Sequence, residues 1–157
     1  MSRLKYEIVK LPDFTHLKIT GQIDETFPLE LSQIEIVGIL RIDLQGLTSI
    51  NSLGIREWIR FFSKIENHPI ELLNCPKIFI DQVNMVQGFI NQKDIVKSFY
   101  VPYFNDQEKL EKNILFSYGK EYGTTPLNAP DFIIDEKGRR LEIDVVESKY
   151  FKFLKTI

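Results

Sequence analysis

The segment spanning residues 36–66 constrains the fold more than any other part of the chain. Its first part, Ile36-Val37-Gly38-Ile39-Leu40-Arg41-Ile42-Asp43, is apolar enough to be a central strand. Across residues 52–66, Ile55, Trp58, Ile59, Phe62 and Ile65 recur at helical spacing, while Arg56, Glu57, Arg60 and Lys64 take the opposite side. Between them Asn51-Ser52-Leu53-Gly54 reads as a small polar turn opening the helix. A strand, a short Thr/Ser/Asn turn and an amphipathic helix require a helix packed on a sheet. The same turn puts the Ser52 hydroxyl at the positive end of a helix dipole, where a phosphate or a partner's acidic group is favoured.

The flanking segments extend this unit. Residues 6–11 and 17–23 read as strands of a hairpin split by Pro12-Asp13. Residues 29–34 are weakly helical. After the main helix, Asn67-His68-Pro69 turns into a strand over 70–73, and Pro76 fits the first turn of a helix reaching about Met85 and stopped by Gly88. A last strand is expected over 95–101, and Pro102-Tyr103 marks a boundary. Beyond it the pattern changes: 106–110 is charged and helix-like, 118–130 is a Gly/Pro/Thr/Asn loop, and 132–134 with 140–146 reads as a hairpin around Glu136-Lys137-Gly138.

Composition limits the function classes. A chain of 157 residues, 43% hydrophobic and 27% charged, suits one ordinary domain, or a smaller one with an appendage. A net charge of −2 supplies no basic field that would gather nucleic acid or an anionic membrane. Cys75 is the only cysteine, which excludes an internal disulfide and a Cys-based structural zinc site. The first residues carry charges without an apolar core, and no apolar run nears the roughly 20 residues of a membrane span. The expectation is a cytoplasmic soluble protein without membrane insertion, nucleic-acid partner or cofactor. No Gly-rich phosphate loop and no internal repeat occurs.

The order hairpin, strand, Asn-Ser-x-Gly turn, helix, strand, helix, strand resembles the STAS domain of anti-sigma-factor antagonists. Residues 4–103 carry the resemblance. The matching stretches are Gly21-Gln22-Ile23-Asp24, then Ile42-Asp43-Leu44-Gln45-Gly46-Leu47-Thr48-Ser49-Ile50-Asn51-Ser52-Leu53-Gly54, then Ile70-Glu71-Leu72-Leu73-Asn74. In that family the turn is usually Asp-Ser-x-Gly and a partner serine kinase phosphorylates its serine, so the resemblance implies that Ser52 is the phosphoacceptor. Here Asn51 replaces the acid, and Asn also caps helices.

The tail resembles the zinc ribbon that follows some STAS domains. Pro102-Tyr103-Phe104 and Tyr150-Phe151-Lys152-Phe153-Leu154 are present, but the cysteines between them are not. The ligand positions would fall near Asn105, Glu108, Ile134 and Lys137, which form no tetrathiolate set. The resemblance therefore implies a metal-free ribbon held by apolar packing, with Tyr150, Phe151 and Phe153 covering it.

Other signals have plainer readings. Ser52 is either a helix cap, worth about 1 kcal/mol, or a switch whose phosphorylation would repel a docked apolar or acidic partner. His16 and His68 have no identifiable acid-base partner. Cys75 is read as buried and inert, and Trp58 as core. Pro130-Asp131 with Glu147-Ser148-Lys149 resembles the Pro-Asp…(Asp/Glu)-x-Lys signature of metal-dependent nucleases, although only eight residues follow the lysine.

The combined expectation is an α/β, STAS-like mixed β-sheet flanked by helices at 1–103, followed by a small β appendage at 104–157. Its expected function is non-enzymatic, with no catalytic residue and no metal site: a regulatory module that binds a protein, a serine kinase or an anti-sigma-like regulator. Ser52 is the candidate phosphoacceptor, and Ile23, Asp24, Asn51, Leu53 and Gly54 are expected to face the partner. The alternatives are the nuclease, an accessory domain of a transporter ATPase, and a scaffold whose appendage carries the interaction.

Overall fold

The computed structural model describes residues 1–156; Ile157, the last residue of the expected appendage, lies outside them. Strand alternation builds the first sheet. In β2 (Phe14–Ile23), Thr15, Leu17 and Ile19 are buried, and in β3 (Ile39–Ile50), Leu40, Ile42 and Leu44 are buried on the same face. The strand order is β1-β2-β3-β4, with β1 (Leu4–Lys10) antiparallel to β2, and β3 and β4 (Ile70–Leu73) continuing in parallel. This is a mixed sheet in an α/β protein.

Two helices cover the buried face. α1 (Ser52–Ile65) presents Trp58, Phe61, Phe62 and Ile65, and α2 (Lys77–Met85) presents Phe79, Ile80 and Val83. Trp58 is the centre of this layer: its ring packs against Phe61, Phe62, Phe79 and Phe89, and its indole N–H donates to the Phe89 carbonyl at 2.9 Å. The opposite face carries charge in register, with Glu7 beside Lys18 beside Asp43, and Arg41 beside Glu71. Neighbouring opposite charges explain how this face stays in water.

β3 is longer than its apolar run suggested. It continues to Ile50 because the ten-residue β2 offers a partner for the whole length, with register shifts near Lys18/Thr20 and Gly21/Gln22. Thr48 and Ser49, expected in a turn, therefore lie in the strand, and Asn51 alone separates β3 from α1.

The second sheet has the order β6-β5-β8-β7, all antiparallel, formed by β5 (Ser98–Asn105), β6 (Leu110–Ser117), β7 (Phe132–Ile134) and β8 (Arg140–Ile143). β5 belongs to both layers. Leu72 bridges Val96 and Cys75 bridges Phe99 in parallel, which continues the first sheet, while Pro102-Tyr103, expected as a boundary, lies inside the strand. Residues 106–109 form a turn, with Lys109 at φ +52°, and not the expected helix.

The closing segment packs on β5. The Phe99 ring meets Phe116, Tyr122, Tyr150, Phe151 and Phe153 at centroid distances of 5.2 to 6.2 Å. Tyr150 ends α3 (Glu147–Tyr150), Phe153 opens α4 (Phe153–Thr156), and Phe151 lies between the two. Asn84 of α2 ties them to the first layer: its Nδ2 donates to the Tyr150 carbonyl and its Oδ1 accepts from the Phe153 N–H, each at 2.8 Å.

Candidate functional site: the first turn of α1

The chain leaves β2 at Ile23 and reverses at once. Asp24 organises the reversal, accepting from the Thr26 N–H at 2.8 Å, from the Thr26 hydroxyl and from the Arg3 guanidinium at 2.7 Å. Burial works against the Asp24 charge, but the Thr26 and Arg3 bonds win and hold its carboxyl below the usual aspartate range. Arg3 also reaches Glu25 at 3.4 Å, and Glu25 accepts from Asn51 Nδ2 at 3.2 Å.

Asn51 is the cap of α1. Its backbone is extended, its Oδ1 accepts from the Gly54 N–H at 2.8 Å, and its own N–H donates to the Ile23 carbonyl at 3.2 Å. The capping role read for Ser52 therefore belongs to Asn51. Ser52 occupies the first helical position, exposed, and among the described residues its hydroxyl makes no hydrogen bond.

Gly54 is required by close approach. A Cβ there would lie 2.0 Å from the Ile23 carbonyl oxygen, so any larger residue would push the helix off the end of β2. The six expected residues thus divide. Asn51, Ser52 and Leu53 are exposed, Leu53 at 46%; Ile23 is 0% exposed, Asp24 is buried and Gly54 is buried, so these three shape the turn from beneath. Arg3, Glu25 and Thr26 complete the site and were not foreseen. The hairpin register carries the missing signal: Leu4 opposite Gly21 sets Arg3 against Gln22, within reach of Asp24.

No family model, curated protein or solved structure matches this chain.

Asp131 is exposed just before β7, and Glu147 and Lys149 are exposed on α3, a helical turn. Two positions apart on a helix is about 200° of rotation, so the acid and the lysine of the nuclease-like motif point apart, whereas on a strand they would share a face. Both acids lie near Tyr103, whose phenol donates to the Pro130 carbonyl at 2.7 Å; burial first, then Glu147 and Asp131, pushes it up to about 12. No cluster of three or more His, Cys, Asp or Glu able to hold a metal ion occurs among the described residues.

Asn105, Glu108, Ile134 and Lys137, the four ribbon-ligand positions, fall at two turns joined by polar contacts. Arg139 bonds Glu108 at 2.9 Å and Asp135 at 2.7 Å, and Lys112 bonds Glu136 at 2.7 Å. Expected to rely on apolar packing, this end of the sheet is also tied by ion pairs. Cys75 is fully buried, and burial, with Asp43 nearby, raises its thiol well above the ordinary cysteine range.

Proposed function

We propose that this chain is a non-enzymatic, cytoplasmic regulatory module that binds a protein partner through the first turn of α1, with phosphorylation of Ser52 as the switch. The observation that carries the reading is the division of labour in the turn. Asn51 caps the helix, Gly54 docks it, and Ser52 is left exposed with neither task, beside an exposed Leu53. A solvent-facing hydroxyl at the head of a fourteen-residue helix is accessible to a kinase. The adjoining leucine supplies apolar contact for a partner. The resemblance to STAS domains supports the same assignment, and a serine kinase or an anti-sigma-like regulator is the class of partner it suggests.

A phosphoryl group at Ser52 would add roughly two negative charges one residue from Asn51, which already holds the Glu25 carboxylate. The helix dipole would stabilise that charge locally, while a docked apolar or acidic surface would be repelled. The fold would persist and the interface would not.

Paired variants test this. Ser52→Ala should change stability by no more than a few tenths of a kcal/mol, since Asn51 does the capping, and should keep partner recovery from source lysate at the wild-type level. Ser52→Asp should melt at or slightly above the wild-type temperature, gaining about 0.3–1 kcal/mol from the dipole, and should lose the partner. Equal recovery by all three proteins would refute the switch.

A further inference from the structure

Away from α1, the 118–130 loop, the Lys93-Asp94 turn and the closing helical turns line an open-mouthed cavity of about 240 Å³. Tyr118, Tyr122 and Phe151 form its aromatic wall, and Leu127 closes the loop side. The wall is built before any ligand arrives. Tyr122 donates its phenol proton to the Val96 carbonyl at 2.5 Å and meets the Tyr118 ring edge-on at 5.8 Å. Gly123, at φ +95°, lets the loop backbone close on Tyr118, where a Cβ would sit 2.6 Å from the ring.

The charged groups of the lining favour an anion. Lys93 donates to the Leu154 carbonyl at 2.6 Å, which leaves two of its three N–H donors for another acceptor. Lys155 also lines the cavity and makes no ion pair among the described residues; Asp94 is the one acid of the lining. The volume is below the roughly 300 Å³ at which drug-sized pockets begin, which limits a ligand to one or two fused rings.

We propose that this cavity binds a small planar aromatic carboxylate. Its ring would lie against the partly exposed Tyr118 and Leu127, with the edges of the buried Tyr122 and Phe151 as the floor, and its carboxylate would accept from Lys93 and Lys155. The site is separate from the Ser52 turn and does not depend on the function proposed for it.

The test is a nuclear magnetic resonance titration of the full ¹⁵N-labelled chain with indole-3-carboxylate and with its neutral isostere, indole-3-carboxamide. The carboxylate should give saturable shifts at the amides of Tyr118, Gly123 and Thr125, and the carboxamide should bind about tenfold more weakly or less well still. Lys155→Glu should weaken carboxylate binding by a similar factor, and Leu127→Trp, at a partly exposed position, should abolish it by filling the cavity. Because the two ligands are compared on the wild-type chain, the outcome does not depend on a variant folding. Equal affinity for the two ligands, or saturable shifts that avoid the 118–127 loop, would overturn the proposal, as would the absence of any saturable shift.

Discussion

The two sheets solve the same problem with different materials. The first buries one face under two amphipathic helices and leaves the other as an in-register grid of opposite charges. The second is covered by a five-ring cluster around Phe99 and by ion pairs at its far turns. In the first, the covering elements are adjacent in sequence to the strands they cover. In the second, the rings come from residues 99 to 153. A locally built layer can hold a turn such as Asn51–Gly54 in a defined shape and leave a side chain over for a partner. A layer assembled from distant residues spends its central rings on closure and leaves only side chains at its rim, such as Tyr118 and Lys155, for a ligand.

The largest expected effect comes from the strand both layers share. Phe99→Ala removes the centre of the aromatic cluster and should cost about 3–5 kcal/mol, a large part of a domain's stability. Because β5 also continues the first sheet, far-ultraviolet and aromatic circular dichroism should lose their signals in one coincident transition. Two separated transitions would mean that the sheets fold independently.

Gly54→Ala should cost about 1–3 kcal/mol through the collision with the Ile23 carbonyl, and should displace the first turn of α1 while sparing the second sheet. Hydrogen exchange measured region by region reads this directly: faster exchange around residues 51–56 with unchanged protection in β5 and β6. Loss of protection throughout would show that the turn is not a separable feature.

A smaller effect, present at neutral pH and lost in acid, belongs to the second sheet. Burial pushes the Asp135 carboxyl up, but bonds from the Arg139 backbone, the Arg139 guanidinium and the Lys137 N–H overcome this and hold it at about 2. A carboxyl depressed from its ordinary 3.8 contributes stability that is complete above that value and is lost as pH falls from about 4 towards 2. Asp135→Asn should therefore narrow its stability deficit against wild type as pH falls through that window. A deficit independent of pH would remove the ion pair from the account.

How much of this was legible in the chain depends on how local the cause is. Helix α1 was readable because Trp58, Phe62 and Ile65 repeat at helical spacing, and β4 and the first hairpin because Pro69 and Pro12-Asp13 bound them. β6 was not, because its inward positions include Lys112 and its outward ones Leu115, which blurs the alternation. The extension of β3 was hidden because Thr48 and Ser49 have turn chemistry, and only the length of β2 makes them strand. At the candidate site the residue identities pointed to the turn, but not to which side chain would cap it. Asn51 and Ser52 both cap helices well, and the choice is made by where the strand ends, at Ile50 and not at Asp43 where the apolar run stops.

The most direct test of the central claim places a photo-crosslinking amino acid at Leu53 in one protein and at Ile134, exposed on the second sheet, in another. Irradiated in source lysate, the Leu53 probe should capture a partner, lose it when combined with Ser52→Asp and keep it with Ser52→Ala, while the Ile134 probe captures none. Capture from Ile134 but not from Leu53 would contradict the account and assign the interaction to the second sheet.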